Sequence, residues 1–158
     1  MKKRFLLPLI FITSLGFAQK QIDNFPIAVN AEKAFELQEE SKKPILFFFY
    51  TDWCKYCFMM KKNTFTNENV IQLINDNFHL VLFDAESKEP VELKRKTFEN
   101  KNGVHELAIS LAAKKGYMAY PSLVILNHKS RIDEQVDSFL SAKQLEKLLT
   151  KYLKKQER

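Results

Sequence analysis

The sequence predicts a single α/β domain with a central mixed four-stranded sheet flanked by helices, and three observations lead there. Two short apolar runs, Ile45–Tyr50 and His79–Phe83, read as neighbouring, roughly parallel strands buried on both faces. Segments with helical spacing separate them from each other and from a later pair, Pro121–Leu126 and Arg131–Val136, joined by the turn Asn127-His128-Lys129-Ser130. Three glycines in 158 residues argue against a turn-rich all-β protein, whereas 46% hydrophobic content with 14 phenylalanines supplies a proper core.

At the start of the chain, Lys2, Lys3 and Arg4 precede an apolar stretch, Phe5–Phe17, and Gly16-Phe17-Ala18 offers the small residues that a signal peptidase reads. The stretch is well short of the roughly 20 residues that span a bilayer. Residues 1–18 are therefore expected to be a secretory signal cleaved before Gln19, with an uncleaved anchor as the rival, and residues 19–158 a single domain. No cysteine follows the cleavage site, so a lipid anchor is not supported. Removing Lys2, Lys3 and Arg4 lowers the formal charge from +6 to +3. Much of that excess lies in the C-terminal helix, where Lys143, Lys147, Lys151, Lys154 and Lys155 alternate with Glu146 and Glu157. This pattern describes a solvated helix face and not a nucleic-acid surface.

Asn30 is placed to cap a helix from Ala31 to about Ser41, with Ala34, Phe35 and Gln38 on its inner side. Lys42-Lys43-Pro44 then hands the chain to the strand Ile45–Tyr50. The strand runs directly into Trp53-Cys54-Lys55-Tyr56-Cys57, and a helix follows in which Phe58 and Met59 or Met60 are expected to face the sheet. Asn67 opens another helical segment with Val70, Ile71 and Ile74 inward.

Residues 85–102 are dense in charge, and they read as an insertion with too little apolar surface to contribute to a core. It is either a solvated loop or a partner-selecting segment on the functional rim. An amphipathic helix is expected from Val104, with Leu107, Ala108, Leu111 and Ala112 inward and Gly116 as its stop. His105, in its first turn, is expected to be structural. Ser141 caps a last helix whose Leu145, Leu148, Leu149 and Tyr152 pack on the sheet.

The chemistry lies at the strand-to-helix junction. Two thiols separated by two residues in a first helical turn can close a disulfide with little backbone movement. Cys54 sits where unpaired N–H groups and the helix dipole stabilise a thiolate, with Lys55 adding a cation, so it is the expected nucleophile. Cys57, one turn in and more buried, is the expected resolving thiol. Half of a zinc site and a purely structural disulfide are the rival readings. Zinc takes four ligands, however, and the chain offers no further cysteine and no histidines at ligand spacing among His79, His105 and His128. No metal and no cofactor beyond the two thiols is expected.

A strand followed by Trp-Cys-x-x-Cys and a helix, with Tyr120-Pro121-Ser122-Leu123-Val124-Ile125 much later, resembles the thioredoxin superfamily over roughly Ala31–Leu153. More narrowly it is similar to the extracytoplasmic thioredoxin-like proteins with an Asp-Trp-Cys-x-x-Cys site. The resemblance implies a thioredoxin fold with an insertion around residues 85–103, a cis bond before Pro121, and protein substrates docked against Trp53, Lys55, Tyr56, Tyr120 and Pro121. It also marks a departure: the buried acid expected six residues before the first cysteine falls on Phe48, and its lysine partner on Leu80. Asp52, Glu86 or water is left to serve as the base.

The resemblance implies an exported, periplasmic or extracytoplasmic thiol-disulfide oxidoreductase. It would act on protein thiols and disulfides and receive electrons from a membrane or soluble redox partner. The alternative is a non-catalytic binding module, or a carrier of a metal such as copper, that uses the same cysteines.

Overall fold

A computed structural model describes residues 24–156; the expected signal segment, residues 1–18, lies outside them. The elements run in the order α1 (Ala31–Ser41), β1 (Ile45–Tyr50), α2 (Lys55–Met59), a π-helical turn at Met60–Thr64, α3 (Glu68–Asn77), β2 (His79–Asp84), β3 (Val91–Leu93), β4 (Lys96–Phe98), β5 (Asn100–Lys101), β6 (Val104–His105), α4 (Glu106–Ala112), β7 (Ser122–Leu126), β8 (Ile132–Val136) and α5 (Ala142–Gln156). The main sheet has the order β2-β1-β7-β8. Strand β1 is parallel to β2 and antiparallel to β7, and β8 closes the antiparallel edge. This is the thioredoxin fold, with a mixed four-stranded sheet between helices.

The period-two alternation of a strand divides β1 between two cores. Leu46 and Phe48 join Leu80, Leu123 and Ile125 on one face, covered by Met60, Phe65, Val70, Ile74, Leu145, Leu149 and Tyr152. Ile45, Phe47 and Phe49 join Val81, Phe83, Val124 and Leu126 on the other, covered by Ala31, Ala34, Leu107, Ala108 and Ala112. All five residues from Ile45 to Phe49 are fully buried. Each large apolar side chain of the strand removed from water contributes about 1.5–3 kcal/mol to the core.

Helix ends follow local chemistry. Asn30 Oδ1 accepts from the Lys33 N–H at 2.8 Å and Asn67 Oδ1 from the Val70 N–H at 3.3 Å. At α5, Gln144 Oε1 reaches back to the Ser141 N–H at 2.9 Å, one arm of a capping box.

Three expectations are corrected. Phe58 and Met59 point to solvent, and Met60 alone of the trio is buried, because Cys57 and Met60, three apart, occupy the inward stripe of the short helix. Helix α4 begins at Glu106, not Val104, and ends at Ala112, four residues before Gly116. Gly116 instead serves a tight turn with Lys115, both at positive φ (82° and 51°), closed by reciprocal Lys114–Tyr117 backbone bonds of 3.0 Å.

The third correction concerns the insertion, which is folded. It holds two antiparallel hairpins, β3–β4 and β5–β6. Val91 is buried, and Leu93 and Phe98 pack against the Phe47–Phe49 face. In strands of three residues one or two inward side chains suffice, so the dense charges between them occupy the outer positions. Asn102-Gly103, with φ of 58° and 88°, forms the β5–β6 turn.

His105 is fully buried and caps α4. Its Nδ1 accepts from the Leu107 N–H at 3.1 Å, and its Nε2 bonds the Glu89 carbonyl at 3.1 Å. The Nε2-protonated tautomer satisfies both contacts. The ring also meets Phe83 edge-on at 5.0 Å.

His105→Ala is expected to destabilise the fold by about 2–4 kcal/mol, through a lost cap, an orphaned carbonyl and a cavity. Asn30→Ala, which removes a solvent-exposed cap alone, should cost about 1 kcal/mol. Urea unfolding of the two variants beside the parent chain checks the order.

Candidate active site

Strand β1 delivers the site at its carboxyl end. The Ala85 N–H donates to the Tyr50 carbonyl at 2.8 Å, and the Cys54 N–H to the Thr51 carbonyl at 3.2 Å, so the chain turns tightly out of the sheet. Cys54 is the N-cap of α2, with extended backbone (φ −78°, ψ 101°). The Cys57 N–H donates to Cys54 Sγ at 3.1 Å, which places one of the otherwise unpaired helix donors on the sulfur.

Cys54 and Cys57 are joined in a disulfide with their Cα atoms 5.2 Å apart. Cys54 is 6% exposed and Cys57 1%. Both cysteines are thus buried, Cys57 the more completely, in one cluster with Leu46, Phe48 and Met60.

The expected docking residues surround this pair. Trp53 is 66% and Tyr56 61% exposed, and Lys55 is also exposed. The rings of Trp53 and Tyr120 meet edge-on at 5.8 Å, which brings the Tyr120-Pro121 loop against the cysteine motif. The Tyr120–Pro121 peptide bond is cis. Tyr56 lies 6.2 Å from Phe139, on the loop before α5. Burial, helped by the Glu86 and Asp84 carboxylates, raises the Tyr120 phenol above its usual range.

Phe48 and Leu80, the positions of the missing acid and its partner, are both fully buried in the apolar cluster that contains Cys57. Phe48 meets Phe65 edge-on at 5.0 Å. Of the substitutes considered from sequence, Asp52 is exposed, and Glu86 Oε1 accepts from Trp53 Nε1 at 3.0 Å.

Sequence reasoning missed Lys61. Four residues beyond Cys57 on the same helical run, it places Nζ 3.0 Å from the centre of the Tyr50 ring. Burial lowers its pKa, and the Asp52 and Asp84 carboxylates oppose that shift. The i, i+4 spacing from Cys57 was the available signal.

Among the described residues, no three His, Cys, Asp or Glu side chains are grouped to hold a metal.

A Cys-x-x-Cys disulfide at the strand-to-helix corner, with the cis Tyr120–Pro121 bond on the loop before β7, stands at the carboxyl end of β1 in this thioredoxin fold. The sequence profile of the family described as Thioredoxin-like matches residues 27–127, and the chain belongs to that family. Spermatogenesis-associated protein 20 of Mus musculus is 31% identical over 84 residues, which cover 53% of this chain and 10% of that protein. The chain therefore spans about a tenth of the length of that curated relative.

Among solved structures, a DsbH oxidoreductase superposes with a TM-score of 0.61 at 19% identity, covering 82% of this chain and 85% of that one. A thioredoxin from Thermus thermophilus gives 0.62 at 15% identity, with 81% and 87% covered. At these identities the two structures establish the fold.

Phe48→Asp, which puts an acid back six residues before Cys54, is expected to cost more than about 4 kcal/mol, because it removes a packed ring and buries a carboxyl opposite leucines. Phe48→Leu should cost less than half as much. Chemical denaturation of the two variants checks the difference.

Proposed function

We propose that this protein is an exported thiol-disulfide oxidoreductase that reduces or isomerises disulfides in extracytoplasmic proteins. The observation that carries the reading is the Cys54–Cys57 disulfide, with its outer sulfur at the N-cap of α2 accepting the Cys57 N–H at 3.1 Å. A donor already aimed at Cys54 Sγ, together with the cation of Lys55, favours the thiolate once the bond is reduced. The related names are of the same kind, a DsbH oxidoreductase and a thioredoxin.

In the reducing direction, the Cys54 thiolate attacks one sulfur of a substrate disulfide. The second substrate sulfur leaves as a thiolate and takes up a proton. Cys57, deprotonated, then attacks Cys54 Sγ, closes the Cys54–Cys57 bond and releases the first substrate sulfur. One electron pair has passed from the protein's dithiol to the substrate, and a redox partner must supply it again. The exposed Trp53 and Tyr56, with Tyr120 and Pro121, form the face on which an extended segment of the substrate protein lies.

Catalytic amounts of the reduced protein, with excess dithiol, are expected to precipitate insulin by reducing its interchain bonds. Cys54→Ser should abolish turnover, whereas Cys57→Ser should accumulate mixed disulfides visible on non-reducing gels. Stable trapping through Cys57 in the Cys54→Ser variant would reverse the two roles, and stoichiometric binding without turnover in the parent would favour the binding-module alternative.

The protein is expected to leave the cytoplasm with Gln19 as its first residue, on the order of basic, apolar and small residues in Met1–Ala18. Intact-mass measurement of the exported form tests this. A membrane-bound species that keeps Met1–Ala18 would identify an anchor.

A further inference from the structure

Trp53 is two-thirds exposed, yet it is restrained from two sides. Tyr120 meets it edge-on at 5.8 Å, and Glu86 Oε1 accepts its Nε1–H at 3.0 Å. The first restraint comes from the loop that faces the cysteines. The second comes from the start of the insertion, which belongs to neither the sheet nor the cysteine corner.

The insertion grips the backbone on both sides of Glu86. The Glu86 N–H donates to Asp84 Oδ1 at 2.9 Å. Asn100 Nδ2 donates to the carbonyls of Glu86 and Ser87, each at 3.0 Å. Asn100 also accepts the Gly103 N–H through Oδ1 at 3.1 Å, which ties it to the β5–β6 turn.

Next to it, the His105 N–H donates to the Ala85 carbonyl at 2.8 Å, while the buried His105 ring holds the Glu89 carbonyl at 3.1 Å. The backbone around Glu86 is therefore held between Asp84 and Glu89 by Asn100 in β5 and His105 in β6. An exposed glutamate on a free loop would not hold one position; this one is carried on a braced turn.

We propose that Glu86 is a positioning residue for Trp53, and that the hairpin insertion exists at this site to hold the tryptophan in the orientation that receives a protein disulfide. The assignment rests on the thiol-disulfide exchange reading above and deepens it.

A large side chain that must be immobilised on docking gives up rotamer freedom at that moment. One already fixed in the free protein does not. The role assigned to Glu86 is exerted through Trp53, whose indole N–H its Oε1 accepts. The effect falls on recognition of protein substrates, so it appears in KM.

Trp53 is the single tryptophan of the chain, so intrinsic fluorescence reports on it without labelling. In the oxidised full-length protein, Glu86→Ala is expected to shift the Trp53 emission and to speed its depolarisation. It should raise KM for insulin about two- to tenfold, with kcat changed less than about twofold. Glu86→Gln keeps an acceptor oxygen for the indole and should restore both the anisotropy and most of KM. Asn100→Ala, which frees the Glu86 carbonyl, should shift both readouts in the direction of Glu86→Ala. Lys88→Ala, an exposed charge in the same segment, should shift neither.

Unchanged Trp53 anisotropy and unchanged KM in Glu86→Ala would overturn the proposal. So would a KM increase that Glu86→Gln shares in full, which would assign the effect to the charge, or a loss confined to kcat. If the parent protein fails to reduce insulin, the oxidoreductase reading falls, and the fluorescence of the four variants still decides whether Glu86 and the insertion fix Trp53.

Discussion

Burial of β1 on both faces is the constraint from which the rest of the structure hangs. Its five buried residues alternate between the two cores, and its hydrogen bonds to β2 and β7 fix it from both edges. A strand held this way ends at a defined point. The turn that follows, with its bond from Cys54 to the Thr51 carbonyl, begins from a rigid base. Cys54 then caps α2 with slight exposure, and Cys57, three residues later, is almost fully enclosed.

The same burial accounts for the absence of a charge beneath the cysteines. Phe48 lies between Phe65, Tyr50 and the β7 residue Leu123, and a carboxylate there would meet no partner. The ionisable groups of this corner lie one layer outward instead. Tyr50 stands opposite Asp84 across the parallel pair, and Lys61 lies over the Tyr50 ring with Asp52 and Asp84 near it. The phenol of Tyr50 is raised by its burial and by the Asp84 and Asp52 carboxylates. Packing and proton chemistry are thus separated, with an apolar floor and a polar rim.

The insertion joins the second core to the rim. Val91, Leu93 and Phe98 anchor it beneath, on the face that carries Phe47 and Phe49, and Glu86 meets Trp53 above. His105 connects the two levels, because one buried side chain caps α4, holds the Glu89 carbonyl and packs on Phe83. A charged segment of this length would be a mobile loop without those few apolar anchors. With them it is a braced support for an exposed aromatic residue.

By itself the sequence determined the features that depend on neighbours along the chain: the both-face burial of β1 and β2, the caps Asn30 and Asn67, the hairpin turn at Asn127–Ser130, and the Cys-x-x-Cys pair at the end of a strand. Runs, caps and short spacings are local, so their physics is complete within a few residues. Only the tertiary structure decided what the charged stretch after Ala85 does. Its hairpins are three or two residues per strand, below the length at which alternation stands out, although Asn102-Gly103 carried a readable turn signal. It alone turned Phe58 outward and Met60 inward, because burial of Cys57 sets which stripe of the short helix meets the sheet. It alone brought Glu86 to Trp53, 33 residues apart, and Lys61 to Tyr50. Contacts at that separation are set by how the strands stack, and no spacing along the chain encodes them.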